Sequence, residues 1–368
     1  MFTRILMASL LFFTMVASFF AAIYFNPGDP AAQSKQAVLS FAAVQQQFAE
    51  MGQHLIDSKQ TYSDTGNSTV DFMKKLKDDQ AVLAGVIEQS EAENEQYAAQ
   101  LHAVGNIVAT SQKNAQETSD ALDNVLANIL GKPIGQTFGE RSTIKVFSLT
   151  AAGYRGYMAK VKLQDPNAVK LVLSHDKVGD KGETTSQAAK RKGATLAING
   201  GGFAKGNDGL LYPMGITVVD GVIKTFSAID LSFIGLNKNG HLVGGAVKSR
   251  EQVEELGVTQ GATFVPTLLE NGKKLTIPKK YSNKKEPRTL IGHFSNGDLL
   301  FIVIDGRQKG SAGVTLEDAQ DKLLEFNVKD AYNLDGGGSS AFYYNGKILN
   351  NPSDGSERVL VSNFLVMS

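Results

Sequence analysis

The spacing of the apolar residues changes once along this chain, between residues 131 and 135, and this change constrains the fold more than any other feature. After it, segments such as residues 158–163 alternate between apolar and polar positions. Before it, one series advances in alternating steps of three and four: Met73, Leu76, Gln80, Leu83, Ile87, Ser90, Asn94, Tyr97, Leu101, Val104, Val108, Ser111, Ala115, Thr118, Leu122, Val125 and Ile129. A period of about 3.5 residues is typical of long amphipathic helices, whereas a period of two is typical of β-strands. The sequence therefore predicts a helical first part and a β-rich second part.

The helical part is predicted to form a stalk over residues 31–132. A shorter apolar series precedes the long one and consists of Phe41, Val44, Phe48, Met51 and Leu55. The long series contains polar residues, and Gly85 and Gly105 lie within it. Each Gly costs roughly 1 kcal/mol relative to Ala inside a helix. We therefore expect coiled-coil-like helices, in a hairpin or in a modest homo-oligomer, and not one rigid rod.

The first 30 residues are predicted to be a membrane segment. Residues 5–25 are almost wholly apolar and follow Arg4, and about 20 apolar residues are enough to cross a bilayer as a helix. We expect an uncleaved single-pass anchor, with Arg4 favouring an N-terminus inside the cell membrane and the rest of the chain outside. A cleaved signal peptide, with secretion of the protein, is the alternative, because residues 17–22 contain small side chains. In both cases the second part of the chain is extracytoplasmic.

Charge and cysteine content exclude several classes of function. The chain has 37 basic and 37 acidic residues, so there is no basic excess of the kind that drives nucleic-acid binding. It has no cysteine, which excludes disulfides and thiolate metal sites. We therefore expect no nucleic-acid partner.

The second part, residues 133–368, is predicted to be a mixed α+β domain made mostly of antiparallel hairpins. Helices are expected only at about 185–192 and 315–326. Five turn dipeptides separate strand-like segments: Asp220-Gly221, Asn239-Gly240, Asn271-Gly272, Asn296-Gly297 and Asn345-Gly346. Such dipeptides between alternating segments are the strongest short-range signal for a β-hairpin.

Three glycine-rich segments interrupt this strand pattern and indicate a binding site. They are residues 197–203, 302–307 and 333–340, and each follows an apolar run. Glycines after a strand let the backbone adopt unusual conformations and direct N–H groups toward a ligand. In two of the segments a carboxylate, Asp305 or Asp335, comes directly before the glycines. A carboxylate held in such a place is costly to bury unless it has a function.

These segments belong to a set of blocks that resembles the phosphodiester glycosidase family over residues 140–368. The blocks are Asn199-Gly200-Gly201-Gly202-Phe203, residues 287–293, Asp305-Gly306, Asn333 to Ser340, residues 352–354 and residues 358–362. Three positions depart from the family pattern: Gly202 stands where a second Phe is usual, Asp318 where Glu is usual, and Asn327 where Gly is common.

The resemblance implies an extracytoplasmic hydrolase that cleaves the bond between a sugar's anomeric carbon and a bridging phosphate. The implied partner is a sugar-phosphate or glycopolymer substrate, such as an exopolysaccharide of the envelope or cell surface. The alternative is a non-catalytic carbohydrate- or phosphate-binding surface module displayed on the stalk. No cofactor is predicted, although a divalent cation such as Ca²⁺ is compatible with the Asp residues.

The predicted site residues follow from the same blocks. As the catalytic set we predict Asp335, Asp305, Arg288, His293 and Asn199. One carboxylate would activate water or act as the nucleophile, and the other would orient or protonate. His293 would be a general acid or would line the pocket, and three arginines are candidates to bind phosphate. As the substrate-binding set we predict Gly200, Gly201, Arg307, Gly336, Gly337, Gly338, Ser339, Ser340 and Arg358. All of these residues are expected to meet in one pocket.

Overall fold

The computed structural model describes residues 46, 49, 50 and 69–368, except for 152, 228–230, 280 and 282–283. The predicted membrane segment and most of the first predicted stalk helix lie outside the described residues. Among the residues that are described, no helix combines the length and the apolar character needed to span a membrane. The chain divides into two compact units, Met1–Asn106 and Ile107–Ser368. The predicted domain limits at residues 30 and 132 stay predictions.

The long series of apolar positions forms one uninterrupted helix, α1, over Thr69–Leu130. Gly85 and Gly105 do not end it, and no atom lies within 4 Å of a Cβ placed at either glycine. A cost of about 1 kcal/mol per glycine is small for a helix of this length, so the helix continues. Pairing of α1 with another helix, in a hairpin or in an oligomer, stays a prediction.

The last turns of α1 are part of the second unit. The Leu126 side chain is fully buried, and Leu122 and Leu130 pack against the same cluster. Lys160, which is 3% exposed, places its Nζ 2.8 Å from Asp123 Oδ1 on the helix and 2.9 Å from Asp298 Oδ2 on the sheet. The end of the helix is thus fixed to the β-rich part by apolar packing and by a buried ion pair.

Among its described residues, the β-rich part contains twenty strands and three further α-helices, as the sequence predicted in outline. The strands are β1 (Gly135–Phe138), β2 (Ser142–Ala151), β3 (Tyr154–Leu163), β4 (Val169–Leu173), β5 (Leu196–Asn199), β6 (Phe203–Lys205), β7 (Leu211–Pro213), β8 (Thr217–Val219), β9 (Val222–Thr225), β10 (Ser232–Asn237), β11 (Leu242–Gly245), β12 (Val258–Phe264), β13 (Thr267–Glu270), β14 (Lys273–Lys274), β15 (Arg288–Phe294), β16 (Leu299–Ile304), β17 (Val328–Leu334), β18 (Phe342–Tyr344), β19 (Lys347–Ile348) and β20 (Ser362–Val366). The helices are α2 (Thr185–Lys192), α3 (Arg250–Glu255) and α4 (Leu316–Glu325).

Helices α2 and α4 confirm the two predicted helices, and capping boxes fix where both begin. Thr184 caps α2 together with Gln187, and Thr315 caps α4 together with Asp318. Asp318 therefore accepts the backbone N–H that a Glu at this position would also accept. Helix α3 was not predicted, because its six residues are too few to show a helical period.

In the part of the chain that the structure describes, the strands form four sheets and every strand pair is antiparallel, which confirms the predicted β-rich architecture. Their orders are β1-β2-β3-β16-β15-β17-β13-β14, β11-β10-β12-β8-β9, β19-β18-β5-β20-β4 and β6-β7. The five predicted dipeptides each join consecutive antiparallel strands. Asn327 has a φ of 59°, and this left-handed conformation explains why Gly, or the tolerant Asn, suits that position.

The sheets stack in layers around two main apolar clusters. One cluster lies between the eight-stranded sheet and the two five-stranded sheets and includes Phe301, Ile198 and Ile234. The other lies on the opposite face of the eight-stranded sheet, where Leu126 of α1 and Leu323 of α4 cover it. Both faces of the large sheet are therefore buried, which holds the ends of its strands in fixed positions.

One edge of this layered structure brings the three glycine-rich segments together. Strands β16 and β17 end there, at Ile304 and Leu334, because both are antiparallel to β15, which begins there. In the facing sheet β5 ends at Asn199, beside the start of β20. The segments that follow β5, β16 and β17 are consequently neighbours in space, although they are far apart in the sequence.

Candidate functional site

Asn199 connects the first glycine-rich segment to the third. Its side chain is fully buried, and its Nδ2 donates to the backbone oxygen of Asp335. Its Oδ1 accepts from Thr289 Oγ1 at 2.8 Å and from the backbone N–H of Ala341 at 3.1 Å. Asn199 therefore uses both of its polar atoms to hold the Asp335 segment in place, which makes it a positioning residue.

Asp305 is tied to the same segment through Asn350. The Asn350 Nδ2 donates to Asp305 Oδ1 at 3.2 Å and to the Ser340 backbone oxygen at 3.0 Å. The backbone N–H of Asn351 also donates to Asp305 Oδ1, at 3.0 Å. Burial raises the pKa of Asp305, and the hydrogen bonds from Asn350 and Asn351 oppose this rise. Asp305 is 6% exposed, so its role is to support the site from the protein interior.

Asp335 is the more accessible of the two carboxylates. It directly follows β17 and is partly exposed, unlike Asp305. Burial raises the pKa of Asp335 to about 6, against the opposing effects of a hydrogen bond with Ser339 and of the nearby Arg358 charge. A carboxyl group with a pKa in this range can exchange a proton near neutral pH, as acid–base catalysis requires.

Two guanidinium groups lie against the glycine turn that follows Asp335. A Cβ added to Gly338 would lie 2.1 Å from Arg358 Nη2, and one added to Gly337 would lie 3.3 Å from Arg307 Nη2. Arg358 also contacts Ser339 Oγ at 3.4 Å. Glycine at these positions therefore leaves room for two cations at the turn, one of which, Arg358, is close enough to Asp335 to act on its charge.

Both arginines are held from outside by an acidic partner and stay accessible. Arg358 Nη2 lies 2.7 Å from Asp354 Oδ2, and Arg307 pairs with Glu286. The side chains of Arg358 and Arg307 are 41% and 47% exposed, respectively. Each carboxylate orients its arginine, and the remaining N–H groups are available to an anion.

The N–H groups of Gly200 and Gly201 serve the fold. They donate to Ser362, to its backbone oxygen at 3.0 Å and to its Oγ at 3.2 Å. A Cβ at Gly200 would lie 2.6 Å from that Oγ, so these glycines permit close approach between two strands. The ring of Phe264 lies against Gly202, where the family pattern has an aromatic residue.

The Gly336 turn and the two serines that follow it complete the third segment. Gly337 N donates to the backbone oxygen of Pro287 at 2.9 Å, which joins the turn to the start of β15. The Ser340 Oγ lies 3.2 Å from Thr289 Oγ1, so Ser340 faces the interior of the site. Ser339 contacts both Asp335 and Arg358.

The Arg288 side chain lies on the opposite face of β15 from Thr289, although it is close enough to Arg307 for the two charges to interact. Arg288 and Thr289 are successive strand residues, so their side chains point to opposite faces of the sheet. The buried guanidinium donates to the backbone oxygens of Val314 at 3.1 Å and Lys284 at 2.8 Å. Arg288 fixes the chain segments around it and does not join Arg307 and Arg358 at the glycine turn.

His293 lies at the other end of β15 from the site. It lies four positions from Thr289, which corresponds to roughly 13 Å along a strand. Its Nε2 is 3.2 Å from Asp330 Oδ2, and its buried Nδ1 has no partner among the described residues. The structure therefore does not bring His293 to Asp305 or Asp335. His293 and Thr289 are an even number of positions apart and so share a face of the strand, but they lie at opposite ends of it.

Sequence reasoning missed two residues that hold the site together, Thr289 and Asn350. Thr289 stands next to the predicted Arg288, and alternation along β15 decides which of the two faces the site. Asn350 lies in an Asn-Asn pair just before the block at residues 352–354, and this pair was the only signal for it. In the described part of the chain, no three or more His, Cys, Asp or Glu side chains are grouped so as to hold a metal ion.

Comparison with known proteins points to one family. Residues 192–367 match the family model described as phosphodiester glycosidase. A Bacillus subtilis protein named SPbeta prophage-derived uncharacterized protein YomE is 33% identical over 195 residues, which are 50% of this chain and 29% of that protein. The N-acetylglucosamine-1-phosphodiester alpha-N-acetylglucosaminidase of Bos taurus is 30% identical over 189 residues, which are 46% of this chain and 35% of that protein. The similarity thus spans well under half the length of these two curated relatives.

Two solved structures share the fold. One is the catalytic domain of the zebrafish N-acetylglucosamine-1-phosphodiester alpha-N-acetylglucosaminidase, auto-inhibited by its pro-peptide, with 23% identity, a TM-score of 0.53, and coverage of 64% of this chain and 86% of that chain. The other is a hypothetical protein from Synechocystis, with 13% identity, a TM-score of 0.52, and coverage of 63% and 64% of the two chains. At these identities the likeness concerns the fold alone.

Proposed function

We propose that this protein, whose residues 192–367 match the phosphodiester glycosidase family model, hydrolyses a glycosyl-phosphodiester at the bond between C1 of the sugar and the bridging phosphate. The observation that carries the proposal is the position of Asp335. Its carboxyl group, with a pKa raised to about 6, lies beside Arg358, at a glycine turn that also contacts Arg307. A carboxylate beside one accessible cation, at a turn that a second cation also contacts, suits a substrate that is a sugar on one side and a phosphate on the other.

The two arginines act on the phosphate. When the C1–O bond breaks, negative charge accumulates on the leaving phosphate, and guanidinium groups stabilise it through paired charge-assisted hydrogen bonds. A phosphate monoester is already a weak base, so strong protonation of the leaving oxygen is less necessary than for an alkoxide. This agrees with a site in which His293 lies at the far end of β15.

The ionised carboxylate of Asp335 acts on the sugar. As the bond breaks, positive charge develops on the ring in an oxocarbenium-like transition state, and a carboxylate on that side stabilises it. Asp335 either attacks C1 or removes a proton from the attacking water. Asp305, Asn199 and Asn350 keep Asp335 and its glycine turn in position.

The proposal extends to where the enzyme works. We place the glycosidase domain outside the cytoplasm, anchored through residues 5–25 and acting on a glycopolymer of the envelope or surface. The apolar segment after Arg4 supports this location.

A screen of defined sugar-1-phosphodiesters tests the function directly. The full chain is incubated with substrates that differ in the sugar, and the released phosphomonoester is quantified. We expect release from at least one of them. A folded protein that binds these compounds without cleaving any of them would instead support the non-catalytic binding module.

The dependence of the rate on pH follows from the raised pKa of Asp335. The carboxyl group is protonated below its pKa of about 6, and a protonated Asp335 can neither attack C1 nor accept a proton. We therefore expect kcat/KM to be constant above pH 7 and to fall about tenfold for each pH unit below about 5. Initial rates between pH 4 and pH 9 check this expectation. A rate that instead increases as the pH falls through 6 would assign Asp335 as the proton donor.

A methyl group at Gly338 is expected to weaken substrate binding. In Gly338→Ala the new Cβ would meet Arg358 Nη2 and Asp354 Oδ2, at 2.1 Å and 2.2 Å, so the guanidinium must move away from the turn. Loss of one charge-assisted contact to phosphate raises KM roughly tenfold. Gly105→Ala is the control, because no atom lies within 4 Å of its Cβ, and it should leave KM unchanged. Equal KM values for the two variants would exclude Arg358 as a phosphate ligand.

A further inference from the structure

A second group of polar side chains lies on the loop between β4 and α2, within residues 174–183, which we call the β4–α2 loop. His175 and Asp176 have φ values of 45° and 60°. Two successive residues other than glycine in the left-handed region are uncommon, and such conformations persist where surrounding contacts determine them. The loop also precedes residue 192, where the family match begins, so the family resemblance assigns it no role.

Hydrogen bonds and ion pairs fix the loop in this conformation. Arg191 pairs with Glu183 and with Asp176, both at 2.7 Å, and it donates to the backbone oxygen of Leu173 at 3.1 Å. The His175 backbone N–H donates to Glu183 Oε2 at 3.2 Å. Arg191 thus neutralises Glu183 and Asp176, and these contacts hold the backbone of the loop in place.

His175 is held with one ring nitrogen facing outward. Its Nδ1 is 2.7 Å from Asp180 Oδ2, and the side chain is 53% exposed. Hydrogen bonds from Ser174 and from His175 hold the pKa of Asp180 well below its usual range, so this carboxylate stays ionised and accepts a hydrogen bond from Nδ1. In the imidazolium form of His175 both ring nitrogens carry a proton, and the outward-facing Nε2–H can then donate to an anion.

Two lysines on the same loop add positive charge. Lys177 and Lys181 are exposed, and within the part of the chain that the structure describes no ion pair engages either of them. Asp176 and Asp180, by contrast, are occupied by Lys192 and His175, respectively. The exposed surface of the β4–α2 loop therefore presents three groups that can bind an anion: His175, Lys177 and Lys181.

The β4–α2 loop is joined directly to the chain segments that leave the candidate site. Asp180 exchanges backbone hydrogen bonds with Leu211, at 3.2 Å and 2.7 Å, in the hairpin that begins just after Gly202. Glu183 and Leu360 exchange two backbone hydrogen bonds of 3.0 Å each, and Leu360 comes two residues after Arg358. Strand β20 separates the end of β4 from the end of β5, and two strand spacings correspond to about 10 Å.

From this arrangement we infer that the β4–α2 loop is a second anion-binding subsite, which recognises a further phosphate or carboxylate of the substrate through His175, Lys177 and Lys181. The inference rests on the proposed glycosidase function and narrows the substrate class. The ends of β4 and β5 lie about 10 Å apart, so the substrate carries a second anionic group outside the scissile phosphodiester, as a chain of repeating glycosyl-phosphate units does. A substrate with a neutral aglycone occupies the catalytic site and leaves the second subsite empty.

Two substrates test the inference, and they differ only in whether the aglycone ends in a hydroxyl or in a phosphate. The sugar is the one cleaved best in the screen described above. We expect the wild-type protein to have a KM about fivefold lower for the phosphate-ended substrate. The variant Lys177→Ala/Lys181→Ala should lose this preference and keep its rate on the hydroxyl-ended substrate. Lys238→Ala, an exposed lysine on the β10–β11 turn, is the control and should behave as wild type.

The variant His175→Gln is a second test of the subsite, in which both lysines are unchanged. It should raise the KM for the phosphate-ended substrate only, with kcat unchanged. Equal losses on both substrates would overturn the inference, because they would show a general structural role for the loop. Inorganic phosphate, added as a competitor, should inhibit only weakly if the subsite binds phosphate that is part of a longer substrate, and strong selective inhibition would assign the subsite to free phosphate instead.

Direct binding separates failure of this inference from failure of the proposed function. A glycerol-phosphate trimer is titrated into the full chain by calorimetry, which requires no cleavage. We expect binding by the wild type and by Lys238→Ala, and affinity about fivefold weaker for Lys177→Ala/Lys181→Ala. Equal binding by all three proteins would refute the subsite even if the enzyme is active. Absence of hydrolysis together with the expected loss of binding would refute only the proposed function.

Discussion

Replacing Asp335 by Asn is expected to lower kcat about 1,000-fold on the best glycosyl-phosphodiester substrate. The amide keeps the size of the side chain and can still contact Ser339, so the glycine turn retains its shape. It cannot attack C1, accept a proton or stabilise positive charge on the sugar ring. The backbone oxygen of Asp335, which accepts from Asn199, is unaffected. The measurement is kcat and KM for the purified variant, together with its thermal unfolding curve.

Two controls show whether this loss is chemical. Asp321→Asn changes an exposed carboxylate on α4 that pairs with Lys274, and it should leave kcat within about twofold of wild type. The unfolding temperature of Asp335→Asn should equal or exceed that of wild type, because burial disfavours the charged carboxylate. If Asp335→Asn retained more than about a tenth of the wild-type kcat, Asp335 would not be the reacting carboxylate, and Asp305 would become the candidate.

Removing the last turns of α1 is expected to destabilise the β-rich part severely. A fragment of residues 133–368 lacks Leu126, which is fully buried, and Leu122 and Leu130, which pack against the same cluster. Burying one such side chain fully contributes about 1.5–3 kcal/mol, and two of the three are only partly buried, so we expect a loss of about 3–6 kcal/mol, a large part of the usual stability of a domain. The fragment also lacks Asp123, a partner of the buried Lys160. Thermal unfolding of 133–368 should begin at least about 10 °C below that of 107–368.

A pair of neighbouring substitutions separates loss of packing from loss of chain length. Leu126→Ala in the full chain should cost about 2–5 kcal/mol, as for other buried leucines. Val125→Ala, one residue earlier at a position that is 44% exposed, should change the stability by less than about 0.5 kcal/mol. Both are read from urea denaturation curves. Identical curves for the fragments 133–368 and 107–368 would show that the β-rich part begins at the predicted boundary and that packing of the helix contributes nothing to its stability.

The features that depend only on neighbouring residues formed as the sequence predicted. The hairpins at Asp220-Gly221 and Asn271-Gly272 form as predicted, because both residues of each dipeptide have positive φ and the turn geometry needs only these two residues. Helix α2 begins as predicted because Thr184 and Gln187 cap it locally. Each of these features depends on residues less than ten positions apart.

The candidate site was predictable in part. The sequence indicated that the three glycine-rich segments meet, and hydrogen bonds of Asn199 and Asn350 connect them in the structure. The sequence did not indicate which side chains of a matched block face the site. Arg288 and His293 belong to such a block and lie elsewhere, whereas Thr289, between them, contacts Asn199.

By itself, the sequence determined the long helix, the antiparallel hairpins and the presence of glycine-rich corners that carry Asp305 and Asp335. Periodicity, capping and turn chemistry are properties of neighbouring residues, so they can be recognised without coordinates. Only the tertiary structure decided that Arg307 and Arg358 flank the Gly337–Gly338 turn, that Leu126 belongs to the core of the β-rich part, and that Arg288 points away. Those outcomes depend on strand register and on the packing of layers, where a shift of one residue moves a side chain to the opposite face.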